Sequence, residues 1–357
     1  MLYSTLMMAQ LGEQYMKTDI RSMTMEELAA YIESIGEKPF RAKQIYEWVN
    51  NKLVAGFSEM TNLPKALREL LEHNAAISKI DMNKKLVSSK DGTRKYLFEL
   101  EKDTIIESVL MKYDHGNVAC ISSQAGCRMG CVLCASTQNG LDRNLTAGEY
   151  AAQIYEIQKD IGERIDSVVI MGCGEPFDNY DSTIKFLKLI TSEEGLEIGQ
   201  RHITVSTCGL VDKIMDFAHE GFKVNLAISL HAPNDEIRKE IMPVAKRFKL
   251  EETIEAGKYF TEKTGRRVTY EYALINGIND NGDHARELGK KLKNSLSHVN
   301  LITMNSVSGR RFKGSSKEAA EAFCKVLMSC GVQATVRRKL GNDIDAACGQ
   351  LRNLKLR

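Results

Sequence analysis

The sequence predicts an α/β chain, a partial (β/α)6 TIM-like barrel preceded by a small N-terminal helical accessory domain. Three observations carry that expectation. From residue 118 onward, short apolar runs alternate with amphipathic stretches of helical period, the rhythm of a parallel sheet built from β/α units. Before residue 78, the chain instead carries helix start and stop residues at close intervals. Between the two, residues 86–111 alternate apolar and polar side chains around Asp91-Gly92, a tight-hairpin dipeptide.

The elements follow in order. Thr24-Met-Glu-Glu27 has the form of a capping box and opens a helix that Gly36 ends. Pro39 suits the first turn of a second helix to Trp48, and Pro64 that of a third over 65–72. Arg41, Lys43, Lys52, Lys65 and Arg68 on this module read either as a solvated face or as a nucleic-acid docking surface. Barrel strands are expected at 118–122, 167–171, 202–206, 224–230, 268–274 and 299–304. Helices are expected at 146–161, 180–190, 211–220, 234–264 (broken near Phe248) and 282–295, then at 315–330 before a last strand over 333–337. The resulting layout is an N-terminal extension (1–18), a helical module (19–85), a hairpin linker (86–113), the barrel (114–342) and a tail (343–357).

Composition narrows the classes. The chain has 357 residues and a formal net charge of +2, so any nucleic-acid surface must be local. Nine cysteines, an odd number, suit a reducing cytoplasm better than a disulfide framework. The first residues lack the basic segment of a signal peptide. No apolar run approaches the ~20 residues that span a bilayer.

The chemistry centres on Cys127-Arg-Met-Gly-Cys131-Val-Leu-Cys134, three thiols at C-x-x-x-C-x-x-C spacing. Thiolates at such spacing hold an iron–sulfur cluster or zinc. A closed structural site recruits four protein ligands. Three on a four-iron cluster leave one iron open to a small molecule. Gly126 and Gly130 let the backbone curl around a bulky group.

In barrels, chemistry gathers at the C-terminal ends of strands. The cysteine loop follows the first strand. Gly172-Cys-Gly-Glu-Pro176 follows the second, Ser206-Thr-Cys-Gly209 the third, Ser229-Leu-His-Ala-Pro233 the fourth and Asn305 the sixth. Glu175 offers a carboxylate to an ammonium group. His231 alone reads more often as a structural histidine. The convergence on one rim points to a bound small molecule.

The tail carries Cys348 between Ala347 and Gly349, with Arg337, Arg338 and Lys339 before it and Arg352, Lys355 and Arg357 after it. A small-flanked thiol among cations suits a reactive thiolate, or is a spare cysteine. Cys120, at the end of the first strand, is the second candidate. Cys173, Cys208, Cys324 and Cys330 read as packing residues, with Cys173 and Cys208 close to the proposed site.

The cysteine loop resembles the radical S-adenosylmethionine (SAM) superfamily. With 121–127, 134–137, Gly172–Pro176, Ser229–Pro233, 343–351 and the helical stretch 59–67, the chain resembles the RlmN family of RNA adenine methyltransferases over roughly residues 19–352. That resemblance implies methylation of carbon 2 of an adenosine in 23S ribosomal RNA and of an adenosine in the anticodon loop of transfer RNAs. It implies one 4Fe-4S cluster held by Cys127, Cys131 and Cys134. It implies two SAM consumed per turnover, with contacts from Gly174, Glu175, Ser206, Ser229, Leu230, His231 and Asn305. Cys348 would carry the methyl group, Cys120 would resolve the adduct and Glu107 would accept the ring proton. On its own residues, Glu107 reads as one charge on an alternating strand. An electron donor such as flavodoxin or ferredoxin and a cytoplasmic monomer also follow. The alternatives are Cfr-type methylation at carbon 8 and a non-catalytic metal-cluster protein that binds RNA. Thr303 and Ser306 stand where the family usually has prolines, and Cys173 where methionine is common.

Overall fold

A computed structural model describes residues 17–100, 104–304, 312–351 and 354–355. Local caps build its N-terminal module. The Thr24 hydroxyl accepts from the Glu27 N–H, and the Glu27 carboxylate accepts from the Thr24 N–H at 2.9 Å. This box launches α1 (Met25–Ser34), and Gly36, at φ +83°, stops it. Pro39 and Pro64 stand directly before α2 (Phe40–Asn50) and α3 (Lys65–Asn74). Leu28, Ile32, Ile45, Val49, Leu67 and Leu71 are buried and continuous with the apolar core of the barrel. The module is therefore seated on the barrel by the hydrophobic effect. Asn50 accepts from the Tyr155 hydroxyl at 2.8 Å across that seam.

The main sheet begins with four antiparallel strands, β1 (Asp81–Val87), β2 (Arg94–Leu100), β3 (Thr104–Tyr113) and β4 (Gly116–Cys120). From β4 the pairing turns parallel, through β5 (Ser167–Ile170), β6 (Ile203–Thr207), β7 (Asn225–Ser229), β8 (Val268–Leu274), β9 (Ser297–Thr303) and β10 (Gln333–Val336). Spatial order follows chain order, so consecutive strands are neighbours and the sheet stays an open arc. The crossovers use α4 (Ala147–Ile161), α5 (Tyr180–Thr191), α6 (Val211–Phe217), α7 (Asp235–Ile241), α8 (Leu250–Thr264), α9 (Gly282–Leu292) and α10 (Lys317–Ser329). Thr146 and Glu149 cap α4 reciprocally, and Gly162 closes it in the left-handed conformation.

Three differences from the sequence reading have physical causes. The alternating stretch expected as a linker is paired into the same sheet, because β3 finds a partner in β4. The break in the 234–264 stretch begins at Met242, where Pro243 follows and cannot donate to the helix ladder. The cysteine loop contains a hairpin of its own, Gln124–Gly126 against Leu141–Asn144. Among the described residues, no helix is long and apolar enough to cross a membrane.

The tail returns from β10 to the antiparallel strands. The Gly341 N–H donates to the Asp91 carboxylate at 2.9 Å, and the Ser88 hydroxyl donates to Asp343 at 2.8 Å. Lys95 Nζ donates to the Asp345 carbonyl at 3.1 Å. Leu354–Lys355 then pairs with Ile105 and Thr104 of β3. Asp91→Ala removes one such clamp, at a cost of about 1–2 kcal/mol. Trypsin is expected to cut at Arg337, Arg338 and Lys339 several-fold faster in that variant, followed by mass spectrometry of the fragments. An unchanged cleavage rate would show that the tail does not depend on the hairpin.

Candidate active site

The cysteine loop is fixed from both sides. Gly126 has φ +79°, and a Cβ there would stand 2.0 Å from the Gly140 carbonyl oxygen. That same oxygen accepts from the Cys127 N–H at 2.9 Å. The Val132 N–H donates to the Ile241 carbonyl at 3.0 Å, tying the loop to the end of α7. The Thr137 hydroxyl reaches the carbonyls of Cys131 and Cys134 at 3.1 and 3.0 Å.

Cys127, Cys131 and Cys134 line one cleft of about 1040 Å³, its open mouth included. Burial raises the Cys127 thiol and pushes Cys131 up to about 12. Thiolates there need compensating positive charge, which bound iron supplies. Among the described residues, no three His, Cys, Asp or Glu side chains gather tightly enough to hold a single ion. The three thiols share one cleft, and a donor set of three thiols suits a four-iron cluster with one iron left open.

The opposite wall comes from the strand ends. Gly174, Glu175, Ser206, Ser229 and His231 all line this cleft. Gly174 has φ +106°, and a Cβ there would lie 2.5 Å from Ser123 Oγ, so only glycine fits. The Glu175 carboxylate accepts from the N–H groups of Cys208 at 2.7 Å and Phe177 at 3.1 Å. Burial raises its proton affinity against those bonds. His231 sits at φ +56°, and its Nδ1 accepts from the Ala273 N–H at 3.0 Å. Its proton therefore lies on Nε2.

Leu230 is placed differently from its neighbours. Its side chain is in the core, its N–H donates to the Glu271 carbonyl at 3.0 Å, and it does not line the cleft. Asn305 lies outside the described residues. Cys208, expected as packing, does line the cleft.

Cys348 comes to the same cleft from the tail. The Ala135 N–H donates to the Gly349 carbonyl at 2.8 Å, and Ser136 Oγ donates to the Leu351 carbonyl at 2.8 Å. Cys120 and Cys348, both free thiols, line a second cavity together. Burial, and then Cys348 itself, push the Cys120 thiol up to about 12. Glu107 is buried on β3 with Lys95 Nζ 2.8 Å from its carboxylate. It is not among the residues lining the cleft, and Lys95 links it to the tail.

Two cleft residues were missed or only half seen. Arg337, among the cations flanking Cys348 in sequence, is the one that donates to the sulfur, at 2.9 Å. Glu271 is buried in β8, accepts from Asn300 Nδ2 at 2.9 Å, and is raised to about 7 by burial. Its alternation with Tyr270 and Tyr272 marks only a face of the strand, not what lies inside the barrel.

Residues 18–77 match the family model "Ribosomal RNA large subunit methyltransferase N-terminal domain", and residues 121–288 match "Radical SAM superfamily". The chain is 55% identical over 340 residues to a "Probable dual-specificity RNA methyltransferase RlmN" of Alkaliphilus oremlandii, spanning 95% of this chain and 99% of the relative. The chain belongs to the RlmN family. A Bacillus velezensis RlmN relative is 51% identical over 93% of this chain and 92% of its own length. The crystal structure of a radical SAM methyltransferase from Sphaerobacter thermophilus superposes with a TM-score of 0.89 at 40% identity, over 94% of this chain and 99% of that one. The protein is thus a radical SAM RNA methyltransferase of the RlmN family, a class that uses SAM and a 4Fe-4S cluster.

Burial, and then Arg238, hold His231 down to about 4, below the ordinary value of 6.5. Because the folded value is the lower one, the stability contributed by neutral His231 is complete above 6.5. It is lost as pH falls toward 4. His231→Asn keeps an acceptor at the Nδ1 position and tolerates φ > 0. Its thermal midpoint is expected to fall less than the wild type's between pH 7 and pH 4.5. Parallel curves would remove His231 from the acid response.

Proposed function

We propose that this enzyme methylates carbon 2 of a defined adenosine in 23S ribosomal RNA, and an adenosine in the anticodon loop of transfer RNAs, through a methyl group carried on Cys348. The observation that carries the reading is the meeting of Cys348, Cys120 and the three-cysteine loop around adjoining cavities. Carbon 2 of adenine is electrophilic, so an electrophilic methyl donor finds no nucleophile there. A protein thiol that first takes the methyl group resolves that mismatch.

Cys127, Cys131 and Cys134 would hold the cluster, one per chain. Gly174, Glu175, Ser206, Ser229 and His231, with Asn305, would hold SAM, of which two are consumed per turnover. When bound, the cluster and SAM supply the one-electron chemistry that activates an unreactive C–H bond. The protein's own residues do the rest. The Cys348 thiolate accepts a methyl group, and its carbon is then joined to the adenine ring. Glu107, 2.8 Å from Lys95 Nζ, takes the ring proton. Cys120 attacks the sulfur of Cys348, which frees the methylated base and leaves a disulfide to be reduced.

The target base must leave its stack to reach the cleft, which is easiest in loops and single strands. A reductant such as flavodoxin or ferredoxin, a monomeric state and a cytoplasmic setting complete the proposal.

Cys348→Ala is expected to abolish methylation, read by mass spectrometry of nucleosides from both RNA classes. Cys120→Ala is expected to leave RNA covalently attached to the enzyme, seen as a shifted band that nuclease removes. The same nucleoside analysis separates a 2-methyl from an 8-methyl product. Clean turnover by Cys120→Ala would exclude Cys120 from the mechanism.

A further inference from the structure

Behind Cys348 the barrel interior is polar and reaches its opposite end. A third cavity of about 1310 Å³, its open mouth included, opens at the base, lined by Thr204, Asn225 and Thr269 near the starts of their strands, by Asn300 midway along β9 and by Arg266 and Arg267. Met171, Glu271 and Arg337 line both this cavity and the active cleft, so they form the partition between them. Two of these three carry ionisable groups. Arg337 donates to the Cys348 sulfur at 2.9 Å, while Glu271 is fixed by Asn300 at 2.9 and 3.2 Å. The guanidinium is held more firmly protonated than usual by Cys348 first and, against its burial, by Glu271 and Cys120. Tyr113 also faces this group.

We infer that Arg337 is a catalytic residue that holds the Cys348 sulfur as the anionic methyl acceptor, and that Glu271 takes over as the counter-ion of Arg337 once the sulfur is methylated. The inference rests on Cys348 being the methyl carrier. Its physical basis is charge balance. A buried guanidinium needs one anion close by, and two neighbouring anions would repel each other. Before transfer the anion is the Cys348 thiolate, which accepts a charge-assisted bond from Arg337, and Glu271 is the neutral acid. In the transfer, a sulfur lone pair of Cys348 forms the S–CH3 bond. The C–S bond of the SAM sulfonium breaks, and its electron pair stays on that sulfur. Cys348 is now a neutral thioether and Arg337 has lost its anion. Glu271 then ionises, and its proton leaves to solvent through the basal cavity. One thiolate, one carboxylic acid and one sulfonium become one thioether, one carboxylate, one proton and S-adenosylhomocysteine, so atoms and charge balance. The value of about 7 for Glu271 agrees with either protonation state being reached near neutrality.

The test uses full-length protein with unmethylated Cys348, confirmed by intact mass. Iodoacetamide labelling of Cys348 at pH 7 is followed by peptide mass spectrometry. Arg337→Gln is expected to slow labelling at least about tenfold, and Arg337→Lys less, since it keeps a cation without the planar fork. Glu271→Gln is expected not to slow it, because the competing anion is gone. Equal rates in wild type and Arg337→Gln would overturn the inference, as would Glu271→Gln slowing labelling as much as Arg337→Gln. A second measurement follows transfer of isotope-labelled methyl from SAM to Cys348 in the reconstituted holoenzyme. No label on wild-type Cys348 would sink the methyl-carrier reading itself. Label on wild type with an equal rate in Arg337→Gln would sink only the role of Arg337.

Discussion

The site depends on one docking event, the seating of the tail on the cysteine loop. Two hydrogen bonds to main-chain carbonyls, from Ala135 N–H to Gly349 and from Ser136 Oγ to Leu351, hold these stretches together. They explain why Cys348 is flanked by small residues. Gly349 has φ +82°, and a Cβ there would stand 3.0 Å from the Leu133 carbonyl oxygen. A larger neighbour would lift the tail, and the reactive sulfur with it, off the loop. Further tail contacts, to Asp91, Ser88 and Lys95, draw the same segment toward the antiparallel strands.

Charge buried in the interior follows a common rule here. Lys95 meets Glu107, Arg337 meets Cys348 with Glu271 near, and Arg238 donates to the carbonyls of Cys208 and Phe248. Unpaired charge in such surroundings is costly, so each cation fixes the group it faces. Arg238 thereby ties the loop after β6 to the loop between α7 and α8, beside the segment carrying Cys131. The positions of the reacting groups are thus set by electrostatics as much as by packing.

Much of this was legible in the sequence because it is local. Thr24–Glu27 and Thr146–Glu149 are capping boxes written within four residues, and both form. The strand–helix rhythm gave the barrel strands to within a few residues, and strand ends then gave the cleft wall. What was not legible depends on who neighbours whom. Periodicity made 86–111 strands but did not say that β3 would pair with β4. Glu271 lies on β8 and Arg337 just past β10, and strand alternation marks a face without revealing that both border the same cleft. Leu230 sits between two cleft residues, yet its side chain turns to the core because successive residues face opposite ways.

β1 ends the sheet on its antiparallel side, and a free strand end-row of peptide groups invites another chain to add on. Its register shifts between Met82 and Lys84, and Lys84 and Lys85 follow that irregularity. Lys85 is also drawn sideways to Asp160 of α4 at 2.6 Å, where Arg94 and Tyr96 converge as well. A kinked, cationic border of this kind disfavours intermolecular strand addition. The consequence concerns the concentrated protein: neutralising Lys84 and Lys85 would expose a template for oligomers and precipitation while leaving the catalytic cleft untouched.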